Sequence, residues 1–436
     1  MTPRETQLRT RIHELSSQIA DQRQVLANLE KELSVTQGQL NTILDPFARF
    51  PRDISSAVLL LCLPEGDIPK TDIAAVPLLF LGVSRSWRKI ALSTPALWTG
   101  ISIPTIVRPK FELLVNFWIA RAGSLPLRMS LHGELYALSP VIQSHLEARV
   151  HSLELYFPNK PEPEWFQTPD LHAPFPFIET VTIGQEKNPV SSSGWSFSQW
   201  YERDAWTCTR LLECFPNAVE FVVDKISFRT LPANLHNTST HDNLKILHLG
   251  RFVEGASFRV AGLLRHVNLP SLERLEIGYC QDEADLGHIL AFLQRSPSPL
   301  RSFSMTFLTR LPLYDLSGLL PHVTELDLRC LSDAERDNFI VSLMSGLSSS
   351  DMFWNLSSLT LRGRQPSNAW TYQHVLNALY AWHASPRPPM RALQLLWGPE
   401  SVDMALAPTP DVVGAIRDFA AAGIHIHVGP EGRNLI

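Results

Sequence analysis

Apolar residues fall in three different rhythms along this chain, and each predicts a different kind of structure. From Leu8 to Ile43 they alternate in steps of four and three: Leu8, Ile12, Leu15, Ile19, Gln22, Leu26, Leu29, Leu33, Thr36, Leu40 and Ile43. Only Gln22 and Thr36 interrupt the seam. This heptad spacing predicts a coiled-coil helix over residues 1–45. A polar seam residue such as Gln22 costs stability and helps to fix register. Flanking positions offer no clean pairing of opposite charges, so strand orientation stays open. The narrow stripe on an otherwise polar segment favours self-association through residues 8–43 over a lone helix folded back on its own domain. Gly38 on the outer face loosens the last turn by about 1 kcal/mol relative to Ala, and Asp45-Pro46 ends the segment.

The second rhythm, from Phe50 to Ile103, is that of short amphipathic helices. Pro51 near a helix start is harmless because its missing N–H has no partner there, and Asp53 adds a carboxylate that the helix dipole favours. Ile54, Ala57, Val58, Leu61 and Cys62 then recur at three- and four-residue steps and predict one buried stripe. Pro64 and Gly66 end that helix. A second helix is expected from about Ile73, with Val76, Leu79, Phe80, Val83, Trp87, Ile90 and Ala91 on one continuous face, stopped by Thr94-Pro95. Helices this short bury too little surface to be secure alone, so the module is expected to lean on a partner or on the rest of the chain.

From Leu127 onward a third pattern recurs, apolar-x-x-apolar-x-apolar. It spans Val150 to Leu155, Ile178 to Ile183, Ala218 to Val223, Leu244 to Leu249, Leu272 to Ile277, Leu300 to Met305, Val323 to Leu328, Leu356 to Leu361 and Met390 to Leu395. Such periodicity is the signature of leucine-rich repeats, each contributing one short strand to a continuous core. Helical returns fit between the strands at Phe258 to Val267, Leu286 to Leu293, Phe339 to Met344 behind a Ser332-x-x-Glu335 capping box, and Tyr372 to Trp382. Thr409-Pro410 opens a last helix through Phe419, and Gly423 precedes the alternating strand Ile424 to Val428. The turn position lacks a regular Asn, which predicts an irregular solenoid. The Pro- and Ser-rich stretch from Pro158 to Ser198 reads as an insertion, together with its flanks covering about residues 158–206. The fold class is therefore α/β: a coiled coil at 1–45, a small all-α module at 46–103 and an irregular solenoid at 104–436.

The helical module carries a family resemblance. Phe50-Pro51-Arg52-Asp53-Ile54 resembles the Leu-Pro-x-Glu-Ile/Leu opening of an F-box, and Val83-x-x-x-Trp87-Arg88 with Ser93-Thr94-Pro95-x-Leu97-Trp98 resembles its close. In the large fungal F-box families a Trp-x-x-Arg-x-Gly-Ser-x-Pro-Leu segment commonly follows, and here Trp118 to Leu127 match it. Phe50 stands for Leu, Asp53 for Glu, and Ser84 for the usual Cys. Ser55 stands where an apolar residue is usual, a hydroxyl expected on the docking face. The resemblance implies the non-catalytic substrate-recognition subunit of a cullin-based, SCF-type ubiquitin ligase. Its adaptor-binding residues would be Phe50, Pro51, Ile54, Val58, Leu59, Val83 and Trp87, meeting a small Skp-type subunit. The alternative is an interaction scaffold that engages no ligase.

In stacked strands the residues between the inward apolar ones form outward columns on the concave face. The expected target-binding set is His248, Glu276 and Asp327 from one column, with Tyr279, Phe307, Arg329, Arg362 and Trp397 from a rim of aromatic residues and arginines, which also includes Arg251.

Composition narrows the classes further. A formal charge of −5 over 436 residues argues against nucleic-acid binding. Cys62, Cys208, Cys214, Cys280 and Cys330 are odd in number and scattered, which fits free thiols in a reducing compartment, cytoplasm or nucleus. The charged N-terminus lacks an apolar signal core, and no run approaches eighteen apolar residues, so no membrane partner is expected. There is no Gly-rich phosphate loop, nucleophile elbow, paired-His zinc helix or Cys-x-x-Cys pair, so no enzyme and no cofactor are expected. His425 and His427 lie two apart on one strand face, too few ligands for a metal.

Overall fold

A computed structural model describes residues 3–45, 47, 49–64, 66, 68–104, 110–132, 138–156, 176–184, 212–223, 238–250, 260–280, 282–308, 310–332, 336–349, 352–363, 366, 370–398 and 407–435. Arg251, Cys208, Glu335 of the capping box and most of the expected insertion lie outside these residues. The chain divides into two compact units: Met1–Ser102 with Lys110–Leu125, and Ile103–Pro109 with Pro126–Ile436. The boundary expected between 103 and 104 therefore shifts, because Lys110–Leu125 packs with the first unit.

The first unit opens with one unbroken helix, Pro3–Leu44. Its seam side chains stay exposed, from 43% at Leu15 to 65% at Leu33, so the helix does not fold back to bury them. The helix Arg52–Leu61 begins after Pro51 as expected. The continuous second helix expected from Ile73 is instead turns to Leu79, a single turn Phe80–Val83, and a helix Arg85–Leu92. The break falls at Ser84, which is extended and whose Oγ accepts from Trp87 N at 3.1 Å. A Ser with extended backbone starts a new helix by capping it, and that local preference overrides the apolar spacing.

The two motif segments close this unit by packing together. Pro95–Trp98 forms a 3₁₀ turn, and Trp98 donates its indole N–H to Ala91 O at 2.8 Å. Trp118, on the helix Phe111–Ala122, meets Trp98 edge-on at 5.1 Å, with Phe117 at 5.3 Å from the same ring. Both tryptophans are fully buried. Gly123 follows at φ +62°, a conformation that favours glycine as a helix stop. A short strand, β1 (Gly100–Ile103), passes so close to Pro69 that a Cβ at Gly100 would sit 2.9 Å from its Cδ.

In the second unit eleven described strands form a parallel sheet in chain order: β2 (Leu127–Leu131), β3 (Val150–Tyr156), β4 (Thr180–Gly184), β5 (Glu220–Val223), β7 (Ile246–Leu249), β9 (Arg274–Cys280), β10 (Ser302–Phe307), β11 (Glu325–Cys330), β12 (Ser358–Gly363), β13 (Ala392–Trp397) and β14 (His425–Pro430). The two remaining strands, β6 (Ser239–Thr240) and β8 (Val267–Asn268), pair with each other. Parallel neighbours require a crossover, and helices supply it at Glu283–Arg295, Leu313–Leu319, Arg336–Ser348, Trp370–Ala384 and Pro410–Ala421. The return expected from Phe258 is the 3₁₀ helix Val260–His266. β4 lies inside the span read as an insertion, so that span is divided by a core strand.

Most strands start two residues after the apolar pattern does. Leu244, Leu272, Leu300, Val323, Leu356 and Met390 precede their strands and plug the core, all 7% exposed or less. The next two apolar residues, such as Leu326 and Leu328, then point inward along the strand. Parallel sheets read as apolar runs only when both faces are covered. Here the alternation leaves one face polar.

Candidate functional site

Two surfaces carry the expected site residues, and each is built differently. In the first unit, the helix Arg52–Leu61 is fixed by polar contacts at its start: Arg52 Nη2 donates to Ser93 O at 2.9 Å, and the Ser56 and Thr94 hydroxyls meet at 3.0 Å. These contacts use the Ser-Thr-Pro motif as an anchor and turn one helix face inward. Leu59 and Ser55 occupy that face and are fully buried. Both differ from expectation. Leu59 is core and cannot meet a partner, and Ser55 is absent from the exposed surface, its Oγ buried without a hydrogen-bond partner.

The opposite face is the exposed one. Ile54, Val58 and Leu61 are 52%, 37% and 85% exposed, and the steps of four and three place them in one line, while Phe50, just before the helix, is 49% exposed. The stripe expected to be buried in the chain is thus presented to solvent. Pro51 is also exposed. Val83 is exposed, and so are Leu79 and Ile73, two apolar residues outside the expected set. Leu61, likewise outside it, was readable as the residue seven after Ile54.

Trp87 shapes this surface from behind. Its ring lies 4.2 Å from Phe47 and 5.7 Å from Phe80, and Phe47 in turn meets Phe50 at 6.3 Å. Ser84, in the usual Cys position, is bound on both sides: besides capping, its hydroxyl donates to Asp45 Oδ2 at 2.6 Å, while Asp45 Oδ1 accepts from Phe47 N at 3.0 Å. The residue that ends the long helix is therefore hydrogen-bonded into the helical module. A carboxylate followed by Pro gave only a stop signal in sequence, so this link was not legible.

On the sheet of the second unit, register brings the expected column together. His248 pairs with Glu276, Glu276 with Ser304, Ser304 with Asp327, and Asp327 with Thr360. His248 Nδ1 lies 2.5 Å from Glu276 Oε2, and its Nε2 lies 3.7 Å from Glu220 Oε1 in the neighbouring column. Arg362 bridges Asp327 at 3.1 Å and Glu431 at 2.8 Å. Burial pushes the Asp327 carboxyl above its usual range, and Glu276 adds to that rise, while Arg362 and Arg329 oppose it. Tyr279 is half-buried and Arg329 exposed.

Phe307 and Trp397 do not belong to this face. They are 1% and 3% exposed, and Phe307 packs on Phe339 at 4.9 Å. Each lies two residues beyond the last inward apolar position, Met305 or Leu395, and therefore points inward again. Arg329 and Arg362 lie one beyond, and point outward. The expected rim mixed the two parities. Nearby Cys280 is buried, and burial pushes its thiol up to about 12, so it stays protonated and unreactive.

Among the described residues, no group of three or more His, Cys, Asp or Glu could hold a metal ion. His425 is exposed, and His427 Nε2 lies 3.1 Å from Pro430 O. No described helix is long and apolar enough to cross a membrane.

No family model and no curated protein matches the chain. The chain is a mixed α/β protein with a long N-terminal helix and a large parallel sheet.

Proposed function

We propose that the chain is a non-catalytic substrate-recognition subunit of a cullin-based, SCF-type ubiquitin ligase, acting in the cytoplasm or nucleus. The helical module at 46–103 is an F-box that docks a Skp-type adaptor, and the sheet-bearing region behind it is an irregular leucine-rich-repeat-like solenoid that grips a target protein.

The observation that carries this reading is the exposed apolar surface of Phe50 and of Ile54, Val58 and Leu61 on the helix that the F-box-like opening starts. Its length and apolar character suit a protein partner, since contiguous apolar surface marks interaction sites. Each side chain buried there contributes about 1.5–3 kcal/mol, enough in combination for micromolar or tighter binding after association costs. Chain-order parallel strands with helical returns support the repeat reading of the second unit. The polar columns support target binding because their charges are held in place by neighbours before any partner arrives.

Copurification with the Skp-type adaptor tests the ligase reading. Wild type binds, and Ile54→Asp does not, while its circular dichroism and melting stay those of wild type. Absence of wild-type binding at micromolar adaptor would leave the interaction-scaffold alternative. Retained binding by Ile54→Asp would move the docking surface elsewhere.

A further inference from the structure

The long helix Pro3–Leu44 spans 42 residues, about 63 Å, with an apolar seam open to water along its length. An isolated helix in water is marginal and draws most of its stability from packing of its apolar face. From the exposed seam and the charges beside it, we infer that this helix pairs with a second copy of itself, antiparallel, over residues 8–33.

The seam sets the register. In that pairing Leu8 faces Leu33, Ile12 faces Leu29, Leu15 faces Leu26, and Ile19 faces Gln22, so seam residues on both strands meet in step. Thr36 falls outside the overlap, and Gln22 is the one polar residue within it. The buried area is on the order of 800 Å² per chain, the size of a standard stable interface.

Read along one strand the flanking charges show no clean pairing, but once the seam sets the antiparallel register, charge complementarity distinguishes the two orientations. Arg9 and Arg11 flank the seam on its two sides, and so do Glu30 and Glu32. The antiparallel register sets Arg9 against Glu30 and Arg11 against Glu32, and the two-fold axis repeats both pairs at the other end. In a parallel pair, by contrast, the flanking positions oppose Arg4 to Arg9 and Val25 to Glu30, with no attractive match, and stack Gln22 on Gln22. Within the single chain Arg9 pairs with Glu5 at 3.0 Å and Arg11 with Glu14 at 3.1 Å. Those pairs are solvent-exposed and therefore weak, so exchanging them for interchain partners costs little.

This association is independent of the adaptor reading, since its readout is oligomeric state and strand direction. It has a geometric consequence: the two helix ends at Leu44, each tied through Asp45 to its own docking module, stand about 70 Å apart, whereas a parallel pair would set them side by side.

Full-length chain is measured by multi-angle light scattering near 10 µM, about the range where such a coiled coil assembles. The expected mass is twice the 49.0 kDa chain; a monomer overturns the proposal. Spin labels at Ser34→Cys, in a background with Cys62→Ser and Cys208→Ser, should lie about 40 Å apart, since each is some thirteen residues from the axis. A separation under about 20 Å means parallel strands and also overturns it. Reversing only the acidic pair, E30R with E32R, weakens the dimer at least about tenfold, and adding R9E with R11E restores it. These residues are exposed, so folding does not mask the result. A dimer indifferent to the first reversal, or not rescued by the second, would refute the assigned register.

Discussion

The helical module and the sheet unit handle apolar residues in opposite ways. The sheet hides them: Leu326, Leu328, Leu359 and Leu361 are all 4% exposed or less, and between the first two stands Asp327, already paired with Arg362. The helical module holds back a matching set, with Leu59 buried and Ile54, Val58 and Leu61 turned outward on the other face of one ten-residue helix, next to the exposed Phe50 just before it. The contrast separates two kinds of recognition. Exposed apolar side chains supply affinity when covered, because burial is favourable wherever it occurs. Preset charges supply selectivity, because a partner that does not match them leaves them desolvated and unpaired.

The helical module is most sensitive at its buried contacts. Trp118→Ala removes the ring that closes Trp98 and should destabilise the first unit by about 3–5 kcal/mol, read as a loss of its unfolding transition in denaturant titration. Leu59→Ala should cost about 2–5 kcal/mol in the same assay. Leu61→Asp, two residues away and 85% exposed, should shift stability by no more than about 0.5 kcal/mol while lowering adaptor affinity at least tenfold. Equal destabilisation by Leu59→Ala and Leu61→Asp would erase the proposed two-faced helix. Ser84→Ala removes a helix cap and the hydrogen bond to Asp45, so a loss of about 1 kcal/mol is expected, with increased amide exchange at Trp87.

The smallest effect belongs to the sheet. The Asp327 carboxyl titrates above its unfolded value, so the folded state binds that proton more tightly than the unfolded chain does. Its contribution is favourable at acidic pH and is lost as pH rises from the ordinary carboxylate range through the raised one. Asp327→Asn should remove that slope and change stability at neutral pH by less than about 1 kcal/mol, given the side chain's partial exposure. Denaturant titrations across that pH range measure it.

What the sequence revealed follows from how local each determinant is. The inward residues of the sheet were legible because strand parity depends on immediate neighbours, and the long N-terminal helix was legible for the same reason at a longer period. Phe307 and Trp397 were misplaced because one extra residue of strand reverses a side chain's direction, and strand length is set by pairing with β9, β11, β12 and β14. The face of the helix Arg52–Leu61 was misread because amphipathic spacing marks two faces without saying which one turns inward. Hydrogen bonds from Arg52 and Ser56 to Ser93 and Thr94, about forty residues on, make that choice. Ser84 was a departure from a motif in sequence and becomes a cap only once the backbone is extended there.

Calorimetric titration of the chain with purified Skp-type adaptor decides whether the exposed apolar line is a docking surface. The expected result is binding in the micromolar range or tighter, with a negative heat-capacity change from apolar burial, abolished by Leu61→Asp. Absence of binding, or binding that survives Leu61→Asp and weakens steeply with salt, would contradict the account.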